Sequence, residues 1–213
     1  MMELNRALAQ LADIQDQITR AEVYRGYRSL PVAASGVIGL LAAALQPHGL
    51  SADPLGFVVY WTAIALCASF VGVSEIVYNY VVYDEALARR RTRRVVGQML
   101  PSLLGAAIIT ACFVRLSVDL VPLLPGIWAI CFGVGIFASR AYLVRASGWV
   151  ALYFYAMGVA LLWIARGPES LPAWSVGGTF GAGQLLTAAV LYWNLENERS
   201  ERSTSENYEE EED

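Results

Sequence analysis

The chain has 213 residues and a net charge of −4; 56% of it is hydrophobic and only 16% charged, against roughly 25% charged in an average soluble domain. A mean hydropathy of +0.46 excludes a disordered chain, which needs low hydrophobicity and high net charge, and argues against a water-soluble globule. All 15 basic residues are arginine and His48 is the single histidine, which excludes lysine Schiff-base chemistry and, within this chain, a bis-histidine haem or a histidine-rich metal site.

Residues 1–29 read as an amphipathic helix. Leu4, Ala7, Leu11, Ile14, Ile18 and Ala21 recur at spacings of three and four, which places them on one stripe. Asp16 and Arg20 form an i,i+4 pair beside it. Such a stripe docks on its own protein, lies on the membrane surface, or pairs with a copy or a partner. The segment is too long and too mixed in charge for a secretory n-region.

Six apolar segments follow, over about 31–46, 55–83, 96–116, 120–139, 148–165 and 173–194. A helix rises 1.5 Å per residue, so about 20 residues cross a hydrocarbon core of roughly 30 Å. The first and fifth are near the short limit, and the second is long enough to tilt or project. No segment alternates as a strand does. The predicted fold is all-α: an integral-membrane six-helix transmembrane bundle over residues 30–195, preceded by a cytoplasmic amphipathic helix.

Arginine placement predicts the orientation. Thirteen arginines fall on the side holding residues 1–29, the second-to-third connection, the fourth-to-fifth connection and the tail; only Arg115 and Arg166 fall on the other. Positive residues stay inside, so both chain ends are expected in the cytoplasm of a cell inner (plasma) membrane. Tyr60 and Trp61 toward the outer end of the second span, and Tyr192 and Trp193 at the inner end of the sixth, suit interfacial belts.

Residues 196–213 carry nine acids and two arginines, a net of −7, which leaves the remainder at +3. A short helical continuation supported by Glu198 and Arg202, followed by disorder, is expected there.

Ionisable and amide groups inside a membrane are costly and point to function. Ala68, Gly72, Glu75 and Asn79 share one helical face, and so do Gly177, Gly181, Gln184 and Ala188. Glu75, Asn79 and Gln184 are the candidate polar site between the second and sixth spans. Gly72, Gly177 and Gly181 are the candidate close-packing positions, with Gly177 and Gly181 in a GxxxG. Ser35, Gly39 and Ala43, and Gly133 with Gly135, add small positions elsewhere. Arg89, Arg90, Arg91, Arg93 and Arg94, read as a short inter-helix loop, fix topology and suit anionic lipid headgroups; with no fold around them they do not predict nucleic-acid binding. Arg115 and Asp119 are four apart and predict a local ion pair.

Cys67, Cys112 and Cys131 lie singly in apolar runs, with no metal-ligand spacing, and His48 has only Asp53 nearby. No GxSxG, Walker, GxGxxG or HExxH pattern occurs. No cofactor and no enzymatic activity is therefore expected. The leading functional expectation is an accessory, interaction or assembly protein of the membrane, in contact with lipid and with a copy or partner through residues 1–29. The alternative is a small transporter or channel built on Glu75, Asn79 and Gln184.

Overall fold

A computed structural model of the chain describes residues 29–82, 86–144, 146–165 and 172–196, without the side chains of 51, 72, 75–82, 86–94 and 195–196. The predicted N-terminal stripe and acidic tail lie outside the described residues. All regular structure among the described residues is helical: α1 (Ser29–Leu45), α2 (Pro54–Val82), α3 (Ala86–Leu116), α4 (Leu124–Ala138), α5 (Ser147–Ile164) and α6 (Ala173–Leu191). Short 3-10 turns lie at His48–Ser51, Val118–Leu123 and Ser139–Ala141, and a π-helical turn, Tyr192–Glu196, ends α6.

The helix starts follow local chemistry. Asp53 precedes Pro54, and its Oδ1 accepts from the Leu55 N–H at 3.2 Å. A capping carboxylate followed by proline in the first position is a strong start signal. α4 carries Pro125 in its first turn, and Pro172 is the N-cap of α6.

Among the described residues, four stretches are long and apolar enough to cross a membrane: Pro54–Val71, Val95–Leu116, Val118–Ala141 and Ser147–Ile164. α1 has 17 residues and reaches only about 25 Å at 1.5 Å per residue. α6 has 19, but its glycines, Ser175, Thr179, Thr187 and Gln184 dilute its apolarity. The described residues thus form an all-helical structure with four helices of membrane-spanning length and composition.

Three local expectations change. α3 begins at Ala86, ten residues before the predicted 96, so Arg89–Arg94 belong to a helix and not to a loop. The stretch 86–96 has neither glycine nor proline, and alanine, leucine and arginine are strong helix formers. The α-helical part of the fourth segment begins at Leu124, four residues late, because the chain first makes a 3-10 turn around Pro122. The Arg115–Asp119 pair does not form. α3 ends at Leu116, and Ser117 is extended at φ −161° and ψ 103°, so four residues no longer equal one turn.

Packing runs in the order α2, α1, α6, α5, α4, α3, each helix against the next. α2 and α3, the two ends of this arc, meet only slightly. The helix ends gather at two levels. At one, Ala42, Phe57, Val58, Trp61, Val121, Leu124 and Val176 form a buried cluster. At the other, Val32, Val144, Ala188 and Leu191 do. A third cluster in α4 and α5 centres on Phe154. We call the level of Val32 and Leu191 the terminal face, and the level of Phe57 and Leu124 the opposite face.

The outward surface is apolar. Leu66, Phe70 and Val73 of α2, and Leu104 and Ile108 of α3, are all exposed. Beyond Val95, the apolar stretch of α3 buries no residue. Exposed apolar rods of this length mark a membrane protein, since a helix satisfies its own backbone hydrogen bonds in lipid.

Candidate functional site

The predicted polar trio is distributed over two helices that α1 separates. α2 meets α6 at Trp61, whose Cη2 comes within 2.7 Å of the position a Cβ would take on Gly177. From that contact Gln184 lies seven residues along α6, about 10 Å, and Glu75 lies fourteen residues along α2, about 21 Å. Both helices leave the opposite face in the same direction, so the two positions differ in level by about 10 Å. Gln184 packs on α1: its Cβ lies 3.2 Å from the Cβ position of Gly36. The side chains of Glu75 and Asn79 lie outside the described residues, as do the surroundings of Gly72.

Gly177 and Gly181 sit in the seam between α1 and α6. A Cβ on Gly177 would collide with the Ala43 methyl and lie 2.5 Å from the Gly39 carbonyl oxygen. A Cβ on Gly181 would lie 2.6 Å from Leu40 Cγ and 3.0 Å from the Gly36 carbonyl oxygen. Backbone therefore meets backbone without intervening side chains, the close approach that small residues permit in membranes. Gly36 faces Gln184 while Ala43 faces Gly177, so the pair is antiparallel.

The opposite-face end of α2 is fixed by two directional bonds. Trp61 Nε1 donates to Gln46 Oε1 at 2.9 Å, and Tyr60 Oη donates to the Ala42 carbonyl at 2.7 Å. Both tie α2 to the end of α1. Phe57 is fully buried beneath them. Deeper in the bundle, Tyr153 Oη donates to the Thr179 carbonyl at 3.0 Å. The Thr179 hydroxyl is buried without a hydrogen-bond partner, an uncompensated polar group in an apolar setting.

The second polar location was not singled out from sequence. α3 and α4 are tied at one end by Trp128 Nε1 donating to Thr110 Oγ1 at 2.8 Å, and at the other by a long Ser139 Oγ bond to the Val95 carbonyl at 3.4 Å. Between these ties runs an open groove of about 540 Å³, lined by Gly97, Gln98, Pro101, Ser102, Val134 and Ala138. Pro101 has no N–H to offer the Gly97 carbonyl one turn back. Gln98 Oε1 is buried and has no hydrogen-bond partner. Ser102 bonds back to the Met99 carbonyl at 2.8 Å. The signal in the sequence was a proline inside a span, three residues after a glutamine.

The backbone of α3 carries Arg89, Arg90, Arg91, Arg93 and Arg94 as continuous helix toward the terminal face; their side chains lie outside the described residues. Among the described residues no three His, Cys, Asp or Glu side chains converge as metal ligands. Comparison of the chain with protein families, with curated proteins and with solved structures finds no match to any of the three.

Proposed function

We propose that the chain is a six-span protein of the cell inner (plasma) membrane that acts as an accessory, interaction or assembly subunit, without enzymatic chemistry and without a conducting path between the second and sixth spans. The observation that carries this reading is the closed α1–α6 seam. On the side of Gln184 that faces α1, the backbones close together: the Cβ position of Gly36 lies 2.9 Å from the Gly181 carbonyl oxygen and 3.2 Å from Gln184 Cβ.

Exposed tryptophans support six crossings. On α5, Trp149 and Trp163 are exposed near its two ends, fourteen residues or about 21 Å apart. Trp174 and Trp193 are exposed at the two ends of α6, nineteen residues or about 28 Å apart. Tryptophan concentrates at the two membrane–water interfaces, and these separations suit one hydrocarbon core. α1 then crosses as the glycine-paired partner of α6. Its shortness and the polarity of α6 are tolerated because each hides its weaker face on the other.

The arginine asymmetry supports a cytoplasmic terminal face. A green fluorescent reporter fused at residue 213 is expected to fluoresce, and an alkaline phosphatase fused there is expected to stay inactive. An active phosphatase overturns the orientation. The interaction role is tested by removing residues 1–29. Measured in lipid nanodiscs, the truncated chain is expected to lose the copies or partners that travel with the full chain. An unchanged particle mass removes this reading.

A further inference from the structure

We infer that the α3–α4 groove holds one acyl chain of an anionic phospholipid, with its headgroup at the arginine-bearing turns of α3. The inference rests on the membrane reading above and adds a specific ligand seat to it.

Three observations converge. The groove wall is recessed because side chains are missing or short: a Cβ on Gly97 would meet nothing within 4 Å, and Pro101, Val134 and Ala138 complete an apolar lining. Its volume of about 540 Å³ falls within the range of ligand pockets, roughly 300–1,000 Å³. Its terminal-face end is polar and short of donors. Gln98 Oε1 has no partner, and Pro101 gives the Gly97 carbonyl no N–H. A headgroup bearing hydroxyls supplies donors at that level. The third observation is charge. Arg89, Arg90, Arg91, Arg93 and Arg94 precede Gln98 by four to nine residues, about 6–14 Å along the helix axis. By register, positions 91, 94, 98 and 102 fall on one stripe of α3. A phosphodiester complements that end, and a hydrocarbon chain complements the groove. A water-soluble phosphate would have no use for the apolar half, which selects a lipid.

The test places the full chain in nanodiscs of phosphatidylcholine with and without phosphatidylglycerol and reads retained lipid by native mass spectrometry. One phosphatidylglycerol is expected to be retained in preference to phosphatidylcholine. Gly97→Leu puts a branched side chain into the groove at a position where a Cβ meets nothing within 4 Å, and is expected to abolish that retention while helical circular dichroism is unchanged. Ala138→Leu, from the exposed facing wall, provides a second block. Arg91→Gln and Arg94→Gln are each expected to weaken retention roughly fivefold. Retention that survives both groove-filling variants reduces the effect to general surface attraction and overturns the seat. Equal retention of the two lipids by the wild-type chain overturns it as well. A chain that fails to enter the discs at all overturns the membrane reading, and the seat falls with it.

Discussion

Gly177→Leu is expected to separate α1 from α6. The new Cβ alone would overlap the Ala43 methyl, approach the Gly39 carbonyl oxygen to 2.5 Å and Trp61 Cη2 to 2.7 Å. The Gly39 oxygen is backbone and cannot rotate away. Trp61 is held by its bond to Gln46 and packs edge-on against Tyr60 at 5.4 Å between ring centroids. Relief therefore requires α1 to move off α6. Overpacking usually costs about 1–3 kcal/mol, and a collision with backbone belongs at or above the top of that range, about 3 kcal/mol. Gly181→Leu should cost less, because its nearest obstacle is the Leu40 side chain at 2.6 Å, which has other rotamers. Gly105→Leu should be silent, within about 0.5 kcal/mol, since a Cβ there meets nothing within 4 Å. Unfolding in mixed micelles measures all three. The order Gly177, Gly181, Gly105 is the diagnostic; equal midpoints for Gly177→Leu and wild type would mean the helices do not approach as described.

The seam also indicates which features the sequence could reveal. Helical class was legible because long apolar runs without alternation have no other way to satisfy their backbone in lipid. The stripe through Gly177, Gly181 and Gln184 was legible from its spacing of four and three, and that stripe lies on α1. The identity of its neighbour was not legible. Spacing states which residues share a face, while the neighbour depends on the order in which six helices are arranged. Hence Gln184 was expected to face α2, and α1 lies there instead. The start of α3 was missed because charge was read as a loop signal, although arginine propagates a helix as well as leucine does. The ion pair expected between Arg115 and Asp119 does not form because one extended residue, Ser117, changes a spacing of four from a turn into a corner. The groove was missed for a related reason. Pro101, Gly97 and Gln98 were visible as residues, but a recess exists only once α4 stands opposite with Val134 and Ala138.

Phe154→Ala is expected to be the most costly truncation in the α4–α5 half of the bundle. The ring is fully buried and lies 4.9 Å from Phe132, 5.3 Å from Tyr153 and 5.4 Å from Phe180 between centroids. Gly183 of α6 makes the space for it: a Cβ there would strike Phe154 Cζ and lie 2.8 Å from Cε2. In a membrane the loss is one of packing rather than of transfer from water, because lipid tails are as apolar as the side chain. A ring-sized void of about 100 Å³ at about 24 cal/mol per Å³ costs on the order of 2 kcal/mol. Each of the three lost aromatic pairs adds about 0.5–1.5 kcal/mol, for a total of about 3.5–6.5 kcal/mol. The ring's relation to Gly183 provides a sharper measurement. Gly183→Leu alone forces a side chain into the ring and should destabilise by about 2 kcal/mol. In the Phe154→Ala background the leucine enters the void instead. The double variant should then be more stable than the sum of the singles by at least about 1 kcal/mol, the signature of residues in direct contact. Strictly additive effects would mean that the ring does not rest on Gly183, and that α5 meets α6 through another face.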